Sequence, residues 1–428
     1  MKRMNEIALM VVVSLFGLVS GCASSRNDSL VGSPQATAER QADLLITNAR
    51  VYSAPGEPAF ENQTLVINSG RISAIRTTGL GDGQIDARQT IDAQGMTVSA
   101  GLWNSHVHFT SERLADDPQA VINNMLLRYG FTHVVDTGSI LPQTLGLRSA
   151  IAGGELRGPQ IVLANGSFVY TDGTPSYLPG IKLPEVSSVA AAAPMVNATL
   201  DAGADGIKIF SGSFMSPTHT IHLPADIIQA ITQAAKAKDR FVMAHPTTIR
   251  GLTNAVRGGV DVIAHTTAPE VEVPPEVLNL MRQQNTALIP TLALWRYEME
   301  KFNASPEQAE FMENAAVSQL GALHAAGVEI LFGTDVGYKT EFDTAAEYKL
   351  MSKAGMDWPA IHHSLTVGPA KRFGKYVGDQ EIHSRVSVGA PAHLVLLGGD
   401  PAIDIEALSR VAFTIVSGDV VYAASPTY

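Results

Sequence analysis

From Asp43 onward the chain breaks into short apolar runs separated by Gly, Pro and Asn turn signals: "DLLITNARVYS", "TLVINSGRISAIR" and "QTIDAQGMTVSA". Such spacing predicts a small antiparallel β unit. The same texture returns at the far end in "AHLVLLGGD", "VAFTIVSGD" and "VVYAA". Two β-rich flanks around a different middle predict one β-sandwich built from both chain ends, residues 42–96 with 376–428.

The middle, 97–375, alternates apolar β-type runs with longer helical patterns. Strands are expected at "TVSAGLWNSHVH", "THVVDT", "QIVLAN", "DGIKIFS", "RFVMAH", "VDVIAHT", "TALIPTLAL" and "EILFGTD". Helices are expected at "PQAVINNMLLRYG", "PADIIQAITQAAKAK" and "PEQAEFMENAAVSQLGALHAAG". Continuous apolar strands joined by helices are the signature of a parallel sheet buried on both faces, which closes as a (β/α)8 TIM barrel of the α/β class. Glycines in "RYG", "DAG", "RGG" and "AAG" suit the residue that ends a helix. An open doubly wound sheet would need a Gly-rich phosphate loop after its first strand, and none is present. There is no solenoid-type repeat.

Length and composition agree with this plan. A chain of 428 residues accommodates one large barrel domain and a smaller one, and 45% hydrophobic against 17% charged residues suits a protein with many buried strands. The net charge of −11 argues against nucleic acid or an anionic membrane surface as partner. The first 22 residues form a secretory signal: a basic "MKRMNE", an apolar "IALMVVVSLFGLV" and a small-residue "SGC". That apolar run is short for a membrane span. "LVSGC" resembles a bacterial lipobox, which implies lipid on Cys22, a flexible tether over 23–41 and an exported protein anchored on the periplasmic side of the outer membrane. Cys22 is the only cysteine, so no intrachain disulfide can form.

The chemistry sits at the ends of the expected strands. His106 and His108 in "GLWNSHVHF" are two apart, so in a strand both imidazoles face one side. An H-x-H alone is as readily two polar residues at a strand end as a metal site. The rest of the chain supplies more: Lys208 in the fourth strand, His245 ending the fifth, His265 ending the sixth and Asp335 ending the eighth. All fall at or near the C-terminal ends of strands, the face on which barrel active sites are assembled. Each has an ordinary reading: a snorkelling lysine, satisfied core histidines, a capping aspartate. Six together, of residue types that bind borderline metals, are hard to attribute to packing. His133, His362 and His363 fall elsewhere and receive no catalytic role.

The ordered set of H-x-H, strand-four Lys, strand-five His, strand-six His and Asp in "GTD" resembles the amidohydrolase superfamily of the binuclear, carbamylated-lysine type. The textures "GIKIF", "AHPTT" and "GTDVG" resemble its imidazolonepropionase-like and prolidase-like branch. That resemblance implies two divalent metals, zinc being expected, and carbon dioxide held as a carbamate on Lys208 that bridges them. It assigns His106, His108 and Asp335 to one metal and His245 and His265 to the other. It also implies attack by a metal-bridging hydroxide, with Asp335 as proton shuttle. Deaminases of this branch place Glu three residues after the strand-five His; this chain has Thr248, which argues for an amide or peptide hydrolase.

The expected substrates are therefore dipeptides or N-acyl amino acids, ochratoxin A among them, which carry a free carboxylate. Candidates to receive it on the same face are Ser111, Arg113, Tyr170, His219, Arg296 and Lys339. A lactonase or phosphotriesterase on the same metals, and a metal-bearing binding lipoprotein without catalysis, are the alternatives. A homo-oligomer is expected by resemblance alone.

Overall fold

The computed structural model describes residues 41–110, 114–269, 272–378 and 384–425. The expected signal, Cys22 and nearly all of the expected tether lie outside them, as do Ser111 and Arg113. Among the described residues no helix is long and apolar enough to cross a membrane.

The described residues form seventeen strands in order: β1 Gln41–Val51, β2 Phe60–Asn68, β3 Arg71–Thr77, β4 Asp86–Asp92, β5 Thr97–Ala100, β6 Leu102–Val107, β7 Phe131–Thr137, β8 Gln160–Phe168, β9 Gly206–Phe210, β10 Gly212–Ser216, β11 His219–His222, β12 Phe241–His245, β13 Val262–Ala264, β14 Ala287–Ile289, β15 Leu394–Leu397, β16 Val411–Val416 and β17 Asp419–Ala423. The first five and last three make one sheet, in the order β17-β16-β15-β5-β1-β2-β3, with β4 also on β1. Both chain ends therefore build it. Residues 41–47 of β1 run parallel to β4, whereas Arg50 and Val51 pair with β5. Asn48, with φ 54°, stands at the switch. Leu44, Ile46 and Leu65 pack in one core with Val98, Leu394 and Ile415.

The second large sheet is parallel, in the order β14-β13-β12-β9-β8-β7-β6. Its eighth position is filled by residues 329–336, which form isolated bridges rather than a regular ladder. Leu288 N donates to Glu329 O (2.9 Å) and Leu331 N to Leu288 O (2.8 Å) on one side; on the other, Ser105 N donates to Phe332 O (2.8 Å) and Asp335 N to His106 O (2.9 Å). The barrel is a parallel β/α barrel closed by this segment. The run expected as one strand over 97–108 is two, split at Gly101, where a Cβ would lie 2.2 Å from Thr132 Oγ1. The expected seventh strand is also shorter, because the chain turns helical at Ala293.

Strand residues divide by the two-residue period. Val135, Val162, Met243, Val262, Ile289 and Leu331 pack inside the barrel in one core cluster, while Val134, Ile161, Ile207, Val242, Ile263 and Phe332 belong to the layer shared with the helices. The helices carry local signals that match the sequence. Helix Pro306–Ala325 opens on a capping box between Ser305 and Gln308, and Gly130, Gly203, Gly259 and Gly327 after their helices all have positive φ.

Two glycines make the closure possible. A Cβ on Gly333 would lie 2.4 Å from Ile289 Cγ2 and 2.9 Å from His106 Cβ, and one on Gly337 (φ 100°) only 1.8 Å from His108 O. Gly337→Ala is expected to lower stability by about 2 kcal/mol or more and to disturb metal retention through His108. Calorimetry and metal content after dialysis check this; an unchanged Tm and metal content would contradict the closure described.

Candidate metal centre

Strand parity aims each side chain. On β9, Ile207 and Ile209 pack outward, so Lys208 between them points into the barrel. On β12, Phe241 and Met243 are interior and His245 continues their side. On β6, Trp103 is interior, and register irregularities between Leu102 and Trp103 and between Asn104 and Val107 switch the parity. Val107 then packs outward while His106 and His108 turn in. His265 follows interior Ala264 and would point outward by period alone; its left-handed backbone, φ 75°, redirects it. Asp335 has φ 60°. Such backbone is sparsely populated by non-glycine residues and concentrates at functional sites.

The six side chains expected from the sequence meet at the C-terminal mouth. Asp335 Oδ1 stands 3.2 Å from His106 Nε2 and 3.0 Å from His108 Nε2. The His265 ring lies 4.6 Å from that of His106 and 4.7 Å from that of His245, centre to centre. The ligand atoms of His106, His265 and Asp335 all lie within 4.8 Å of one another. Among the described residues Asp335 Oδ1 and His106 Nδ1 are buried without a hydrogen-bond partner. Lys208 is buried, and the carboxylates that act on its charge are Asp335 and Asp136. Polar atoms that converge this closely, without satisfying one another, fit a divalent cation.

Charge states agree with a ligand role. Burial, reinforced by the Lys208 ammonium, lowers His106 and His245 to about 3. Burial, then His106 and His245, takes His265 well below its usual value. All three are neutral imidazoles at neutral pH. Burial lowers Lys208 to about 8 against the pull of Asp335 and Asp136. Burial pushes Asp335 up, but His106, His108 and His265 overcome it and hold the carboxyl well below its usual range.

Two threonine hydroxyls, each with a backbone carbonyl to donate to, favour one tautomer of the ring beside them. Thr291 Oγ1 donates to Pro290 O (2.8 Å), so in its 2.6 Å contact with His265 Nδ1 it accepts, and Nε2 of His265 keeps its lone pair. Thr247 Oγ1 donates to Gly212 O (2.8 Å), so it accepts from His245 Nε2 (3.1 Å) and leaves Nδ1 unprotonated. Both threonines have positive φ, 45° and 56°. Neither was among the residues read from the sequence. Thr247 stands two residues after His245 in "AHPTT" and could have been suspected; Thr291 belongs to the neighbouring strand and carried no local signal. Thr248, the departure noted above, accepts from Gly251 N (3.2 Å) as the N-cap of helix Ile249–Arg257 and touches His222 Nε2 at 2.8 Å.

The carboxylate-binding candidates separate. Arg296 is taken up by Glu313 in two 2.9 Å contacts. His219 is exposed on the β10–β11 hairpin, and Tyr170 is half-buried against the outer core. Lys339 is buried on the loop after Asp335, where its ammonium acts on the carboxylate of Glu347. Aromatic rings also gather here: Tyr338, held by Glu298 (2.7 Å) and Lys301 (2.9 Å), packs edge-on against Tyr177 (5.7 Å) and Tyr297 (6.4 Å). His133 stacks on Trp103 at 4.4 Å, and His362 lies 2.7 Å from Ser99 and stacks on Trp358; neither joins the metal cluster.

Thr247→Val is expected to weaken metal binding 10- to 100-fold, the usual range for loss of a hydrogen-bond partner behind a ligand, while Thr247→Ser retains it. Chelator competition measures both; equal affinity in all three proteins would contradict the tautomer assignment.

Comparison with known proteins follows the geometry. Residues 97–421 match the profile of the amidohydrolase family. A Xaa-Pro dipeptidase structure with bound methionine superposes with a TM-score of 0.77 at 24% identity, over 89% of this chain and 100% of that one. A prolidase solved with N-methylphosphonate-L-proline gives 0.73 at 25% over 89% and 100%. The A. niger ochratoxinase gives 0.68 at 17% over 89% and 96%, a likeness of fold. Adenine deaminase 3 of Rhizobium johnstonii is 34% identical over 76 residues, 18% of this chain and 12% of that protein. Adenine deaminase 2 of Bradyrhizobium sp. (strain ORS 278) is 28% identical over 149 residues, 32% and 25% respectively. The match thus spans a quarter or less of either deaminase.

Proposed function

The chain belongs to the amidohydrolase family and is a hydrolase, and from that premise we propose that it cleaves the amide bond of dipeptides or N-acyl amino acids at a pair of divalent metal ions. The observation that carries the reading is the convergence of His106, His108, His265 and the Asp335 carboxylate, with buried Lys208 near enough for Asp335 to act on its charge. The dipeptidase, prolidase and ochratoxinase among its fold relatives support the choice of bond.

His106, His108 and Asp335 would hold one ion and His245 and His265 the other, with Lys208 between them. Carbon dioxide would add to the neutral amine form of Lys208: one proton leaves the ammonium first, an N–C bond forms, and a second proton leaves the nitrogen to solvent, so that a costly buried cation becomes an anion with two protons released. Bound divalent ions, with zinc the first choice, supply a Lewis acid for the carbonyl and acidify water, a single zinc bringing its pKa to about 7. Asp335 accepts the proton lost by the attacking water and delivers it to the departing nitrogen, which otherwise leaves poorly. Lys339, the buried cation on the loop after Asp335, is the side chain we assign to the substrate carboxylate. The rings of Tyr177, Tyr297 and Tyr338 suit an apolar or aromatic substrate side chain. If the leader is read as a lipobox, this chemistry faces the periplasm.

A panel of Xaa-Pro, Xaa-Phe and N-acyl-Phe amides, with a lactone and a phosphotriester as controls, separates the readings. Release of a C-terminal amino acid, abolished by a chelator, is expected; turnover of only the lactone or phosphotriester would overturn the peptidase assignment. Asp335→Asn is expected to keep most of the metal and lose kcat by 100-fold or more, on the order of general acid–base catalysis. Near-normal turnover in that variant would sink the shuttle.

A further inference from the structure

Glu347 lies in helix Ala345–Lys353, outside every motif singled out in the sequence, and is buried. Its two oxygens each accept one backbone amide: Leu292 N to Oε1 and Ala293 N to Oε2, both at 2.8 Å. These amides open helix Ala293–Lys301, which has no side-chain cap of its own. The first amides of a helix lack internal partners and mark its positive end, so a buried carboxylate there satisfies both needs. Burial pushes Glu347 up to about 7, while the two amides and the Lys339 ammonium favour its ionised form.

The clamped turn leads directly to the metal cluster. Thr291, immediately before Leu292, is the left-handed residue whose hydroxyl accepts from His265 Nδ1. Trp295, one turn into the helix, donates its Nε1 to Thr266 Oγ1 at 2.7 Å, gripping the residue after His265. His265 itself has φ 75° and cannot hold that turn by ordinary backbone preference. On the other side, Lys339 donates its backbone N–H to Asp335 O at 2.9 Å. Glu347 thus stands between the segments bearing His265's support and Asp335.

We infer that Glu347 is a positioning residue for His265: by clamping the amides of Leu292 and Ala293 it holds Thr291 and Trp295, and through them the imidazole, in ligand geometry. It rests on the two-metal reading only for what His265 binds, and touches no substrate.

The test is zinc affinity of the full chain by chelator competition, with the His265 tautomer followed by side-chain nitrogen NMR. Thr291→Val is expected to weaken zinc at the position His265 holds 10- to 100-fold, and Thr291→Ser to restore it. Glu347→Gln, which keeps one acceptor oxygen, is expected to weaken the same zinc about 10-fold and to broaden or shift the His265 signal. Because Glu347 acts through Thr291 and Trp295, the double variant Glu347→Gln/Thr291→Val is expected to lose less than the product of the two single losses. A Glu347→Gln protein with lower Tm but unchanged zinc affinity, or losses that multiply in the double variant, would overturn the inference. If Glu347→Gln does not fold, hydrogen exchange on the unmutated protein decides: zinc should slow exchange at Leu292 and Ala293, since coupling is reciprocal, and unchanged exchange overturns it. Zinc coupling without hydrolysis of any amide would defeat the proposed activity and leave this role of Glu347 standing.

Discussion

The position of Asp335 depends on how the barrel closes. Residues 329–336 are too irregular to form a ladder, yet their amides and carbonyls bridge β14 to β6 and set Asp335 Oδ1 at 3.0–3.2 Å from the two imidazoles of β6. Closure and site are one event. Gly333 admits the segment against Ile289 and His106, and Gly337 lets it pass the His108 carbonyl. The apolar layers on either side of the strands hold this geometry because each inward residue is flanked by outward ones packed against helices.

The burial that makes the barrel stable also prepares its chemistry. Removing water lowers the imidazoles and the lysine toward their neutral forms, which are the forms that donate lone pairs. It also makes unpaired charge costly, so Asp335 and Lys208 together create a demand that a divalent cation answers. Threonine hydroxyls then determine which lone pairs face inward. The left-handed residues His265, Thr247, Thr291 and Asp335 concentrate backbone strain at this one rim.

Much of this was legible in the chain. The two-residue period and the rule that barrels carry their chemistry at strand C-termini assign His106, His108, Lys208, His245, His265 and Asp335 to one face from the sequence alone. What escaped has physical reasons. The run over 97–108 is apolar throughout, so nothing marked Gly101 as the point where the chain leaves one sheet for the other. Ala293 starts a helix within a β-type run because tertiary contacts, including the Glu347 clamp, outweigh local propensity. Arg296 looked like a free cation on the active face, whereas Glu313, seventeen residues on, neutralises it. Thr291 and Glu347 act across strands and helices distant in sequence, where no spacing rule reaches.

Counting the divalent ions bound per chain tests the central claim most directly. The full protein, dialysed against zinc with bicarbonate and analysed by elemental mass spectrometry, should carry two ions per chain, with Lys208→Ala retaining at most one. One ion or none in the unsubstituted protein, or two in the Lys208 variant, would contradict a site built from two imidazole sets around that lysine.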